Sequence, residues 1–168
     1  VALQRSSLSP AFVLELRRFA AAMARDALDQ PNRHALAFER YADAVSGVPA
    51  RLLWDLLAVP GDRKQAPVRR RARSHATTLG RYCYHAHLAR DLAADAAADR
   101  IKIPLDFVHH HGGVATPAGI AAVRRAWLVR PAGELAPAIF NLARLHRGAT
   151  RVVLTVLAPY QATIQSGG

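Results

Sequence analysis

RRRARSHATTLGRYCYHAHLARDLAADAAADRIKIPL, from Arg69 to Leu105, is the stretch on which the fold turns. Up to Asp99 it contains no proline, and its only glycine is Gly80. Alanine, leucine and arginine dominate, and all three are strong helix formers. The reading is one helix of close to thirty residues, long for a globular protein. A helix of that length needs neighbours on more than one side, and the flanking segments supply them.

Upstream, Ser9–Pro10 is a helix start, with serine as N-cap and proline in the first turn. The helix it opens runs to about Leu28 and packs through Phe12, Leu16, Phe19, Ala20 and Met23. Gln30–Asn32 stops it, and Asn32 caps the next region, Arg33 to Leu57. There Phe38, Tyr41, Val45, Leu52, Leu53, Leu56 and Leu57 form an apolar surface. Gly47 and Pro49 interrupt it, predicting a kink or two shorter helices. Downstream, the histidines and glycines of His109–Gly113 predict a bend, and Thr116–Pro117 starts another helix. That helix is expected to stop at Arg130–Pro131. A last one is expected from Glu134 to Leu157, buried through Leu135, Ile139, Leu142, Leu145, Val152, Val153 and Val156. No internal repeat and no strand-like alternation is present. The expected architecture is an all-α antiparallel bundle of five or six helices in one domain. Residues 1–8 form a tail, 62–68 a linker and 159–168 a second tail.

At 168 residues and 51% apolar composition, the chain builds a single core and is not disordered. No apolar run reaches the roughly 18 residues of a membrane span. Val1–Pro10 lacks the apolar core of a signal peptide, and a start on valine fits removal of a presequence. The single cysteine, Cys83, excludes an internal disulfide and reads as a structural thiol. The net charge of +11 is almost wholly arginine, since Lys64 and Lys102 are the only lysines. Such a field favours anionic partners.

The sharpest chemical feature is His87, Asp91 and Asp95, spaced four apart on the central helix. Each step of four turns the helix by about 40°, so the three share a stripe. Two readings stand. Carboxylates so spaced hold Mg²⁺ together with a substrate diphosphate, with Arg90 and Arg100 adding phosphate contacts. Equally, they make ordinary surface pairs with neighbouring arginines. A lone helix holds no diphosphate; a second wall must face it. His109–His111 lack the spacing of a zinc site, and His75, His85 and His146 read as structural or exposed. Arg63, Lys64, Arg69, Arg70, Arg71 and Arg73, with Arg124 and Arg125, form a candidate patch for an anionic partner, either rRNA or an anionic lipid. Most of these cations sit at a helix start, where they oppose the helix dipole. Aromatics do not interleave with them, so no base-stacking platform is expected.

Three segments in this order resemble the squalene/phytoene synthase family of head-to-head prenyltransferases. FERYADAVSGVPARLLWDLLAVPG, Phe38–Gly61, resembles the family helix with a glutamate–x–tyrosine pattern and a leucine-rich end. HATTLGRYCYHAHLARDLAADAAADRIKIPLD, His75–Asp106, resembles the segment that carries the second aspartate-rich motif. HHHGGV, His109–Val114, resembles a histidine–glycine–valine step, and Pro137–Val153 fits the closing helix. The resemblance implies a truncated isoprenoid-synthase-like bundle. It places Asp91 and Asp95 on the motif's two aspartates, Arg90 before the first, and Arg100, Pro104 and Asp106 in the tail that follows. In active relatives those aspartates bind magnesium and the diphosphate.

The departures point away from catalysis. His87 stands in place of an asparagine, Ala94 of a glutamate, Asp99 of a glycine and Lys102 of a tyrosine. The first aspartate-rich motif has no counterpart in the chain. The expectation is a non-catalytic relative with a vestigial site of His87, Arg90, Asp91, Asp95 and Arg100, no cofactor and no bound metal. It resembles most the mitochondrial branch linked to respiratory complex I assembly, which implies a subunit of complex I or of the mitochondrial ribosome, partnered by protein. Two alternatives remain: the C-terminal chain of a split, Mg²⁺-dependent synthase, and an RNA-contacting accessory protein of the mitochondrial ribosome.

Overall fold

The computed structural model describes residues 10–27, 34–57 and 66–145, together with 148, 151, 154, 155, 158 and 159. The regular structure among them is all helical: α1 Pro10–Ala27, α2 Ala35–Ala42, a π-helical turn Asp43–Gly47, α3 Val48–Leu57, α4 Ala66–Ala97, α5 Leu105–His110 and α6 Pro117–Leu145. The expected all-α bundle is what forms. Residues 1–8 and 160–168, the Ser9 and Asn32 caps and most of the linker lie outside the described residues, as do Val152, Val153 and Val156 and the side chains of Leu56 and Leu57.

Helix α4, at 32 residues, is the axis of the bundle. At 1.5 Å per residue it is about 48 Å long, and α6 runs antiparallel along it. Two core clusters lie end to end on α4. Near its start, Ala72, Ala76, Leu79 and Tyr82 pack with Trp54 of α3 and with Leu135, Ala138 and Leu142 of α6. Further on, Leu88, Ala89 and Leu92 pack with Phe38, Ala42, Val123, Trp127, Ile103 and Val108. The second cluster is aromatic at its heart. Trp127 stacks on His85 at 4.5 Å, and Phe38 meets Trp127 edge-on at 4.9 Å. His85, read as a lone structural or exposed histidine, is therefore a buried core residue, 7% exposed.

The interruption expected at Gly47 and Pro49 takes a specific form. The chain widens into one π-helical turn and then resumes as α3, with Pro49 at its second residue. In a first turn the absent proline N–H costs little. The widened turn lets the backbone rest on α4. The Ser46 hydroxyl donates to the Gly80 carbonyl at 2.6 Å, and a Cβ on Gly80 would lie 2.3 Å from the Ser46 carbonyl oxygen. Only glycine fits that crossing.

Four expectations are corrected. Helix α4 begins at Ala66, inside the segment read as linker. Helix α1 packs through Phe12, Glu15, Phe19 and Ala22, while Leu16, Ala20 and Met23 are exposed. Its docking is partly ionic, which an apolar periodicity does not register. The bend expected at His109 starts later, because Leu105–His110 forms a short helix buried through Val108. Gly112 and Gly113, at φ 101° and 72°, then make the turn.

The fourth concerns Arg130–Pro131, where no break occurs; α6 runs through both Pro131 and Pro137. An interior proline costs roughly 3 kcal/mol. Burial of Val123, Leu135 and Leu142 on either side of Pro131 contributes about 1.5–3 kcal/mol each and holds the helix against α4. The start of α6 is as expected: the Gly119 N–H donates to Thr116 Oγ1 at 3.1 Å.

Candidate functional site

His87, Asp91 and Asp95 occupy one stripe of α4, on its half-exposed side, as their spacing requires. Arg90 governs the stripe. Its Nε donates to Asp91 Oδ1 at 2.6 Å and its Nη2 to Asp91 Oδ2 at 2.8 Å, a bidentate pair. The same Nη2 lies 2.7 Å from His87 Nδ1. His87 Nδ1 also lies 3.3 Å from Asp91 Oδ2.

The two carboxyl groups differ. The Arg90 hydrogen bond holds Asp91 below the ordinary carboxylate range, against the opposing effect of partial burial. Asp95 is pushed the other way, first by burial and then by the Asp91 charge, with Arg100, His87 and Lys102 pulling back. Arg100 reaches this end of α4 through the helix C-cap. Asp99 takes the left-handed conformation at φ 54° and its N–H bonds Ala96 O at 3.2 Å, while the Arg100 N–H bonds Asp95 O at 2.8 Å. These are the paired bonds of a Schellman cap. Asp99, where the family resemblance expects glycine, does the backbone work of a glycine.

Mg²⁺ requires several oxygen ligands near octahedral positions. Both Asp91 oxygens are engaged by Arg90, and among the described residues no three His, Cys, Asp or Glu side chains converge. As built, the stripe does not fit a resident Mg²⁺.

The candidate anionic-partner residues are not gathered into one patch. Arg63 and Lys64 lie outside the described residues, and for Arg69 only the backbone is described. Arg70 and Arg71 are exposed at the start of α4, whereas Arg73 pairs with Asp55. Arg124 sits on α6, its Nε donating to Ala89 O at 2.9 Å. Ala89 is nineteen residues beyond Arg70, about 28 Å along α4, so Arg124 and Arg125 belong to the opposite end. Cys83 is a half-buried thiol, pushed by burial to about 11, as a structural role expects.

Sequence reading missed two polar constellations. Arg51 of α3 bridges Glu15 of α1 and Asp43 of the π-helical turn at 2.7 Å each, and donates to Thr77 Oγ1 at 3.1 Å. Arg81 pairs with Glu39 beside a cleft that Thr78, His85 and Glu134 also line, with room of about 20 Å³. That is space for a single water. Partners 36 residues apart, as Arg51 and Glu15 are, carry no local pattern. The one legible sign was a charged residue on an otherwise apolar helix face.

A family model described as squalene/phytoene synthase matches residues 2–166. Neither the curated proteins nor the solved structures searched contain a match.

Proposed function

The chain belongs to the squalene/phytoene synthase family, and on that premise we propose that it is a non-catalytic member that acts by docking within a larger assembly. The observation that carries the reading is Ala94, which stands where the family resemblance expects a glutamate beside Asp95, with Asp99 and Lys102 departing in the tail. Among the described residues no third acidic, histidine or cysteine ligand converges on Asp91 and Asp95. The finer placement is a mitochondrial one, in the manner of complex I assembly factors or a mitochondrial ribosome subunit. Its support is the arginine-rich composition and the resemblance of the departures to that branch. Among the described residues no helix is long and apolar enough to cross a membrane.

The test is incubation of the full chain with radiolabelled farnesyl or geranylgeranyl diphosphate and Mg²⁺. The expected result is no condensed product; measurable condensation overturns the proposal. A native pull-down with mass spectrometry tests the placement. Recovery of respiratory-complex or mitoribosomal subunits is expected, and recovery solely with proteins of another compartment overturns it.

One observation favours a second reading, a split synthase. Burial and then the Asp91 charge raise Asp95, and a divalent cation held jointly with another chain would relieve the repulsion between the two carboxylates. Under that reading, activity appears only with a second helical chain bearing its own DxxxD motif, and disappears in Asp91→Ala.

A further inference from the structure

Helix α6 is apolar on two sides. Its inner side carries Val123, Leu135 and Leu142 into the core. Its outer side carries Val129, 71% exposed, and Phe140, 62% exposed, with the exposed Ala132 and Ala136 between them. Eleven residues advance an α-helix by three full turns and about 20°, so Val129 and Phe140 stand on one line. A helix with apolar residues on two opposite sides packs between two layers, and the described residues furnish only the inner one.

We propose that this outer face of α6 docks an acidic amphipathic helix of a partner protein. Charge selects that occupant. Arg125 and Arg144, both exposed, bracket the apolar line, and Arg144 lies over the Phe140 ring at 5.8 Å. The pairs Val129/Phe140 and Arg125/Arg144 share one midpoint along the helix. A second copy packed antiparallel about that midpoint therefore sets Arg125 against Arg144, and a parallel copy sets each arginine against itself. Both arrangements oppose like charges, whereas acidic residues at the ends of a foreign helix pair with both arginines. The small residues between Val129 and Phe140 let another backbone approach closely. A membrane-inserting face instead presents several large side chains such as Trp, Phe and Leu, whereas here the alanines Ala132 and Ala136 lie between Val129 and Phe140. The inference rests on the docking role proposed above and names the chemistry of the partner.

The probe is a stapled amphipathic peptide of about seven turns, with leucine and alanine on one face and glutamates flanking that face at both ends. A second peptide has lysines in place of the glutamates. Binding of each to the full chain is followed by fluorescence anisotropy. The expected result is at least tenfold tighter binding of the glutamate peptide. That binding is lost in the double variant Val129→Ser/Phe140→Ser, and the preference reverses in Arg125→Glu/Arg144→Glu. All four positions are exposed, and circular dichroism confirms that each variant folds. Three outcomes overturn the proposal: no preference between the peptides; self-association in light scattering that Phe140→Ser abolishes, which assigns the face to a second copy; or binding to phosphatidylglycerol vesicles that the same substitution abolishes, which assigns it to lipid. Failure of peptide binding with synthase activity still absent refutes this surface alone. Synthase activity with peptide binding intact refutes the non-catalytic reading alone.

Discussion

The hydroxyl of Ser46 donates to the carbonyl of Gly80 at 2.6 Å, and this bond marks where the π-helical turn rests on the central helix. Gly80→Ala tests the crossing. Alanine brings about 1 kcal/mol of helix propensity. Its Cβ, however, would meet a backbone oxygen at 2.3 Å and the Ala50 Cβ at 2.7 Å. Neither is the tip of a flexible side chain, so a whole helix must shift. The expected result is a net loss of about 1–3 kcal/mol, read as a lower midpoint in urea denaturation.

Arg51 ties α1 to the rest of the bundle. Its side chain is 12% exposed, and those of Glu15 and Asp43 are 18% and 25% exposed. Arg51→Ala leaves the half-buried Glu15 and Asp43 with only the exposed Arg18, at 3.7 and 3.4 Å, as their cation, at a cost of about 1–3 kcal/mol. Amide hydrogen exchange should accelerate first in α1, which rests on α3 and the π-helical turn. Exchange that accelerates evenly over α4 and α6 would contradict this placement of the tie.

Asp99 holds a left-handed backbone at φ 54° as the last element of the α4 cap. Glycine adopts this conformation without strain, while an L side chain costs roughly 1 kcal/mol. Asp99→Gly should therefore raise the melting temperature, and Asp99→Val, β-branched, should lower it. Calorimetry on the two variants provides the check.

The pH dependence of the acidic stripe follows from the two opposite shifts. Asp91 has its folded pKa depressed, so its contribution to stability is present above the unfolded pKa and lost as pH falls through the folded one. Asp95 has its folded pKa raised, so its charge opposes folding at neutral pH and the penalty fades as pH falls. Asp95→Asn should thus raise the melting temperature at pH 7, with the gain vanishing as pH drops through the carboxylate range. Asp91→Asn should lower it at pH 7, and that loss should also vanish in acid. Thermal melts between pH 3 and 8 read both, and a gain from Asp95→Asn that persists in acid would show another cause.

Local chemistry made much of the molecule legible. The span Arg69–Asp99 is dense in helix formers, so α4 was evident from composition, and Thr116–Pro117 announced α6 by its cap. The stripe of His87, Asp91 and Asp95 follows from helical geometry wherever the helix packs. Family membership was carried by the order of three segments and by the spacing of two aspartates.

Helix α6 shows what local chemistry does not settle: Pro131 reads as a stop, and the burial of Val123, Leu135 and Leu142 overrides it. The Arg51 tie, the burial of His85 between Phe38 and Trp127, and the engagement of both Asp91 oxygens by Arg90 were equally outside the reach of periodicity. Helix type and the residues sharing a face depend on energies within one or two turns, and the sequence by itself determined them. Which face is covered, which proline is tolerated and which charges meet depend on energies shared between segments far apart in the chain, and only the tertiary structure decided those.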